Sequence, residues 1–444
     1  MAKGALKIQC FSGENTYVPV GKCKITVTQT EQDGTALRKS TVLYTDSVGL
    51  TEEIDLDTPG IENSQEPGKI PYSFADILIE KESYNPILIK GVQIYPDRVA
   101  IQQADLKLQS RNQNGKGEEV IDINSNVLVG NYPAKIPEPE EKELPPPQGT
   151  VVLPAPVVPE YITVHAGSPN DSSAPNYKVD YKSYIKNVAS CEIYATWSEN
   201  TIRANVYAII SFTLNRIYTE WYRGKGKRFD ITSSTAYDHA FNYGRNIYDN
   251  IGRIVDDIFS TYIKRFEAKQ PLLTQYCDGI KVKCPGWMTQ WGSKYLGDEG
   301  KPAYEILSSF YGRNIEFKTA AKVKGSPQSY PGYTLTVGSK GAPVKTIQEQ
   351  LNRIAKAYPL IPKQALDGVF GEKMKEAVKV FQKVFNLSQT GEVDYATWYR
   401  ISDIYVGVSK IAELRGSIEE RKRIFYPPVI IDDLNNVPRV PYYY

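Results

Sequence analysis

The sequence predicts a multidomain α+β protein: an N-terminal antiparallel β-sandwich, a mainly helical middle domain and a small three-helix unit near the C-terminus. Three observations carry that expectation. At roughly 150 residues per domain, 444 residues allow about three domains. Apolar residues alternate with polar ones in the first quarter, then switch to helical spacing. A proline-rich stretch separates the two regimes. Hydrophobic residues at 41% and charged residues at 23% exclude a wholly disordered or fibrous chain. With 53 Lys+Arg against 51 Asp+Glu, no net field draws the chain to nucleic acid. Two histidines are too few for a zinc site built on three imidazoles. No apolar run approaches the roughly 18 residues of a membrane span, so no membrane insertion is expected. The first residues lack the apolar core of a signal peptide. The five scattered cysteines do not form a disulfide framework and fit synthesis in a reducing cytosol.

Residues 1–113 read as strands. Leu6, Ile8 and Cys10 alternate with polar residues, as do Cys23, Ile25 and Val27. Further apolar runs at 74–80 and 87–95 are separated by Asn85-Pro86, and such punctuation between short strands predicts a sandwich. Residues 114–160 form a linker. Nine prolines lie between Pro133 and Pro159, with an acidic run at Glu138–Glu143. That composition favours extended polyproline II and reads either as a spacer or as a cleavable junction around Gln148, Gly149, Thr150 and Val151.

Residues 161–325 turn helical. Tyr184, Val188 and Cys191 share one face of a helix over 181–192. A second helix over 199–217 is apolar nearly all round and therefore buried. A third is expected from Arg245 to Phe266, with Ile247, Ile251, Ile254, Val255 and Ile258 as its stripe. In residues 326–410, Val344, Ile347, Leu351 and Ile354 make one apolar helix face, and Ala377, Val378, Phe381 and Phe385 another. The charged, then Pro- and Tyr-rich segment 411–444 is expected to be an extended or docked tail.

Three resemblances follow from these residues. The N-terminal strands loosely resemble transthyretin-like or collagen-adhesin B-type modules, which are usually non-catalytic. The C-terminal unit resembles a type 1 peptidoglycan-binding domain. It carries Leu335-Thr-Val-Gly338, Gly341-Ala-Pro-Val344, Ile347-Gln348, Asp367-Gly-Val-Phe-Gly371, Phe381-Gln382, Thr390-Gly-Glu-Val-Asp394 and Thr397-Trp398. The middle unit resembles the stage II sporulation protein D (SpoIID) family. The matching text is Tyr184-Ile-Lys-Asn-Val188-Ala-Ser-Cys-Glu192, then Trp197, Ile202-Arg-Ala-Asn-Val-Tyr-Ala, Met288-Thr-Gln290-Trp291-Gly292 and Ile306-Leu-Ser-Ser-Phe310-Tyr311. A Cys and His-Cys cluster found in some SpoIID members reads Thr232, Ala236 and Tyr237 here, so no metal is expected.

The domain order is similar to that of spore cortex-lytic enzymes of the SleC type. This resemblance implies a peptidoglycan lytic transglycosylase without a cofactor. It implies cortex peptidoglycan as substrate and a subtilisin-like protease as activating partner. It also implies location in the cortex/coat region of a spore, after synthesis in the mother cell. Glu192 is the expected general acid and base: one carboxyl suffices when the muramyl 6-hydroxyl, rather than water, attacks C1, whereas hydrolysis ordinarily needs two. Trp197, Tyr237, Asp238, His239, Gln290 and Trp291 are candidate substrate-binding residues. Asp238 and His239 either contact the sugar, orient Glu192 or simply build a turn. Gln290 either binds an acetamido group or is a buried structural amide, and the aromatic rings either stack on sugars or belong to the core. Cys277 and Cys284 read as free thiols or a loop clip with no catalytic part, a two-thiolate metal half-site being the other alternative. An N-acetylmuramoyl-L-alanine amidase and a non-catalytic wall-binding protein are the competing functions.

Overall fold

The computed structural model describes residues 2–12, 18–30, 39–109, 117–140, 156–322 and most of 331–408. The expected cleavage positions 148–151 and the tail 411–444 lie outside the described residues. In the N-terminal region one sheet is centred on Ala2–Ser12, with Ile54–Thr58 antiparallel on one side and Val99–Asp105 parallel on the other. The second sheet runs Lys39–Tyr44, Lys24–Thr30, Ser73–Glu80, Ile87–Ile94, Glu119–Asp122. Leu6, Ile8 and Cys10 from the first sheet and Cys23, Ile25 and Ile77 from the second are fully buried in a common core, as their period-two spacing requires. The sandwich is not purely antiparallel. Val99–Asp105 and Glu119–Asp122 both join their sheets in parallel. A parallel neighbour needs a long crossover, and here each crossover passes through the opposite sheet.

The sandwich is continuous with the middle region. Ile247–Tyr248 extends its first sheet beside Val99–Asp105, pairing Ile247 with Ile101 and Tyr248 with Ala100. The Trp197 indole donates to the Ser64 carbonyl at 3.0 Å, and Arg98 Nε to the Ala195 carbonyl at 2.8 Å. Buried Arg245 reaches Gln93 Oε1 at 2.5 Å. Apolar side chains of both regions form one cluster.

In the middle region α1 spans Tyr181–Glu192 and α2 spans Glu199–Tyr218. Asp180 caps α1 by accepting from the Ser183 amide at 2.9 Å. The expected third helix is shorter than its apolar stripe: α3 covers only Asp249–Ile258, and Thr261–Arg265 is a strand paired with Ile315–Thr319. Tyr262 and Ile263 satisfy either periodicity, and the distant partner strand decides. The region is mainly helical, as expected, but several short strands are set among its helices. Helices α4 (Gln290–Asp298) and α5 (Ala303–Tyr311) pack on α2. Gly297 permits the closest approach: a Cβ there would lie 2.0 Å from Thr201 Oγ1.

The C-terminal unit holds α6 (Ala342–Ile354), α7 (Glu372–Val384) and a third helical stretch bearing Trp398 and Ile401. Its core gathers Leu335, Val344, Ile347, Leu351, Phe370, Phe381 and Trp398, and Val157 from the end of the linker and Tyr218 from the middle region join it. Two turns are gripped alike. The Gln348 side chain accepts from the Gly368 amide at 2.9 Å, and that of Gln382 accepts from the Gly391 amide at 2.8 Å. Both glycines have positive φ, 67° and 75°, where a side chain would be strained.

Candidate active site

Glu192 is the last residue of α1. Only 3% of its surface is exposed, and a helix C-terminus disfavours a negative charge. Its Oε1 accepts from the Ala240 amide at 2.8 Å and its Oε2 from Gln290 Nε2 at 2.9 Å. Gln290 Nε2 also reaches the Glu192 carbonyl at 3.0 Å. The start of α4 is thereby fastened to the end of α1. Burial raises the pKa of the Glu192 carboxyl, partly countered by the Lys135 ammonium, the Ala240 amide and Gln290. The shift favours the protonated form, in which a carboxyl can donate to a leaving group.

Tyr276 and His239 complete the surroundings. Their rings stack with centroids 5.8 Å apart. Burial and the nearby carboxyl push the Tyr276 phenol well above its ordinary value. Burial, with Lys135 and Arg216 nearby, lowers His239 well below its own, so the imidazole is neutral. His239 Nδ1 lies 3.2 Å from the Tyr184 hydroxyl. His239 Nε2 and Gln290 Oε1 are buried polar atoms without a hydrogen-bond partner among the described residues. The loop after Tyr276 is closed by a Cys277–Cys284 disulfide, and Asp278, Lys281 and Val282 face the same hollow as Glu192.

The other sequence candidates divide. Asp238 is fully buried and accepts from Arg216 Nε at 2.6 Å, Tyr222 Oη at 2.7 Å, the Thr232 amide at 2.9 Å and Thr232 Oγ1 at 2.6 Å. These four donors give it a framework role in this conformation. Tyr237 is half-buried, and its carbonyl accepts from Arg216 at 2.8 Å. Trp197 and Trp291 pack edge to face at 5.3 Å in the core behind Glu192. Among the described residues no three His, Cys, Asp or Glu side chains gather as metal ligands. His165 and His239 have different partners, His165 pairing with Asn176 at 2.8 Å.

Sequence reasoning missed Lys135, Tyr276 and Arg216. Lys135 lies in the segment read as a spacer, yet its ammonium donates to the Asp238 carbonyl and sits 5.0 Å from the Phe212 ring centroid and 5.3 Å from that of Tyr276. No local pattern marks such a contact. Arg216 carried a signal: a cation on a helix apolar nearly all round requires partners.

Residues 340–401 match the family model described as a putative peptidoglycan binding domain. The chain thus carries a peptidoglycan-binding domain and is a cell-wall-associated protein. No curated protein matches the chain. Among solved structures, it is similar to wild-type catechol 1,2-dioxygenase from Acinetobacter radioresistens over 27% of this chain and 57% of that one, at 9% identity and a TM-score of 0.18. It is similar to chlorocatechol 1,2-dioxygenase from Pseudomonas putida over 27% and 58%, at 12% identity and a TM-score of 0.16. The chain spans less than two thirds of those proteins, and likenesses at such scores carry no argument about fold or activity.

Proposed function

We propose that this protein is a peptidoglycan lytic transglycosylase of the SleC type, made as a zymogen, with Glu192 as its single acid and base. The observation that carries the reading is a buried carboxyl with a raised pKa, fixed by Ala240 and Gln290 at the edge of a hollow in a chain with a peptidoglycan-binding domain. Glu192 would pass its proton to the glycosidic oxygen as the bond from that oxygen to C1 of N-acetylmuramic acid breaks. N-acetylglucosamine would leave with a free 4-hydroxyl. The muramyl 6-hydroxyl would then bond to C1 and return its proton to Glu192, leaving a 1,6-anhydro end. SpoIID-like motifs around Glu192 and Gln290 favour spore cortex as the substrate and the cortex/coat region as the location. A cut near Gln148–Val151 by a subtilisin-like protease would activate the enzyme.

Mass spectrometry of cortex digested by protein cut in that segment tests the reading. Anhydromuramyl ends are expected, and Glu192→Gln should lower their release by about 10²–10⁴-fold. Free lactyl groups would identify an amidase instead, and no products would identify a wall-binding protein.

A further inference from the structure

From the contacts of residues 126–140 we infer that this segment is an internal occupant of the Glu192 cleft, with Lys135 as its plug and Glu138 as its latch. The inference rests on the reading of Glu192 as the reactive group.

The segment is fastened along its whole described length. Asn126 Nδ2 donates to the Ser190 and Ile193 carbonyls, on either side of Glu192, at 3.3 and 3.2 Å. The Val127 amide donates to the Cys191 carbonyl at 2.9 Å. Lys281 Nζ reaches the carbonyls of Val129 and Gly130, and the Ile136 amide donates to the Ala236 carbonyl at 2.7 Å. Gln275 then pairs with the Glu138 backbone in both directions, at 3.0 and 2.7 Å. The Glu138 carboxylate takes both ends of the Arg216 guanidinium, at 2.8 and 2.7 Å, the bidentate geometry of a strong pair.

Between these anchors Lys135 turns inward. The residue as a whole is half-buried, but its ammonium is enclosed by Phe212, Tyr276 and the Asp238 carbonyl, close enough to Glu192 to act on its charge. Val127, Gly130, Tyr132, Pro133 and Lys135 make one wall of the hollow that Glu192 and Gln290 line. The enclosed space is about 40 Å³, room for a few waters, and Glu192 itself is almost wholly buried behind it. A glycan strand could reach the carboxyl only after this wall moves.

The test reverses charge at both anchors in the full, uncut chain. Lys135→Glu sets a carboxylate against Glu192, and Glu138→Arg sets a guanidinium against Arg216. Hydrogen exchange is followed with and without a soluble tetrasaccharide of alternating N-acetylglucosamine and N-acetylmuramic acid. The double variant should exchange the Val127, Ile136 and Glu138 amides at least tenfold faster while α2 stays protected. Tetrasaccharide should then slow exchange at the Ala240 and Val282 amides, which it leaves unchanged in the uncut wild type. Glu138→Gln, a milder change, should show both effects to a smaller degree. The plug is refuted if tetrasaccharide protects Ala240 and Val282 equally in wild type and variants, or if loosened variants gain no such protection. Should α2 lose protection in the double variant, Glu138→Gln alone decides by the same two criteria. A variant that gains protection but releases no anhydromuramyl ends would uphold the plug and overturn the transglycosylase reading.

Discussion

Replacing Asp238 by asparagine separates a framework carboxylate from a sugar-binding one. Asp238 has no exposed surface and accepts four hydrogen bonds, from Arg216 Nε, Tyr222 Oη and both donors of Thr232. Asparagine offers one acceptor oxygen and brings two N–H donors. At least one existing donor would then face another donor in a site closed to water. The buried Arg216 would keep Glu138 but lose its inner counter-charge. Removing one partner of a buried ion pair costs about 3–5 kcal/mol, most of it from the charge left behind. Part returns through the surviving acceptor oxygen, so we expect a loss of about 2–4 kcal/mol from Asp238→Asn. Urea denaturation followed by tryptophan fluorescence measures it, with a lower midpoint and unchanged slope as the signature. A variant of wild-type stability that binds glycan poorly would show that Asp238 contacts the sugar and that the four-donor arrangement is not what selects it.

Lys135 predicts a pH dependence of stability. Burial pushes its ammonium down to about 8 from an ordinary 10.5, so between those values the unfolded chain holds a proton that the folded chain releases. Stability should therefore rise with pH across that window. At 1.36 kcal/mol per pH unit the gain is at most about 3 kcal/mol, less what solvent at the half-buried stem screens. Comparing denaturation midpoints at pH 7.5 and 10.5 in wild type and Lys135→Met checks it, because the part of the rise due to Lys135 should be missing from the variant. Replacing Cys277 and Cys284 by serine opens a short loop and should cost about 2–3 kcal/mol on loop entropy, seen as faster exchange at the Val282 amide. A fragment of residues 326–410 should pellet with purified peptidoglycan, and its remaining in the supernatant over a range of salt would refute wall binding by that unit.

Local pattern made part of this molecule legible. Tyr184, Val188 and Cys191 define the buried face of α1, and Asp180 supplies its cap, so the start of that helix is written nearby. The motif around Gln290 falls where α4 meets Glu192. What the sequence hid depends on distant partners. Thr261–Arg265 is a strand because Ile315–Thr319 lies beside it. Residues 126–140 look like a spacer because proline dominates their neighbourhood, while Asn126, Lys135 and Glu138 act through single contacts with no periodicity. The union of sandwich and middle region was equally invisible: Ile247–Tyr248 is too short to announce a strand, and its partner lies far back in the chain.

That short pairing bears on what a protease could achieve here. Breaking one peptide bond near Gln148–Val151 would change the connectivity of the molecule and leave every residue in place. The Ile101–Ile247 ladder, the Trp197–Ser64 bond and the common apolar cluster would still hold the two polypeptides together. Two bands on a denaturing gel would correspond to a single particle of undiminished mass in solution. A cut there would thus nick an intact body, and the sandwich would stay on as a non-covalent subunit rather than dissociate.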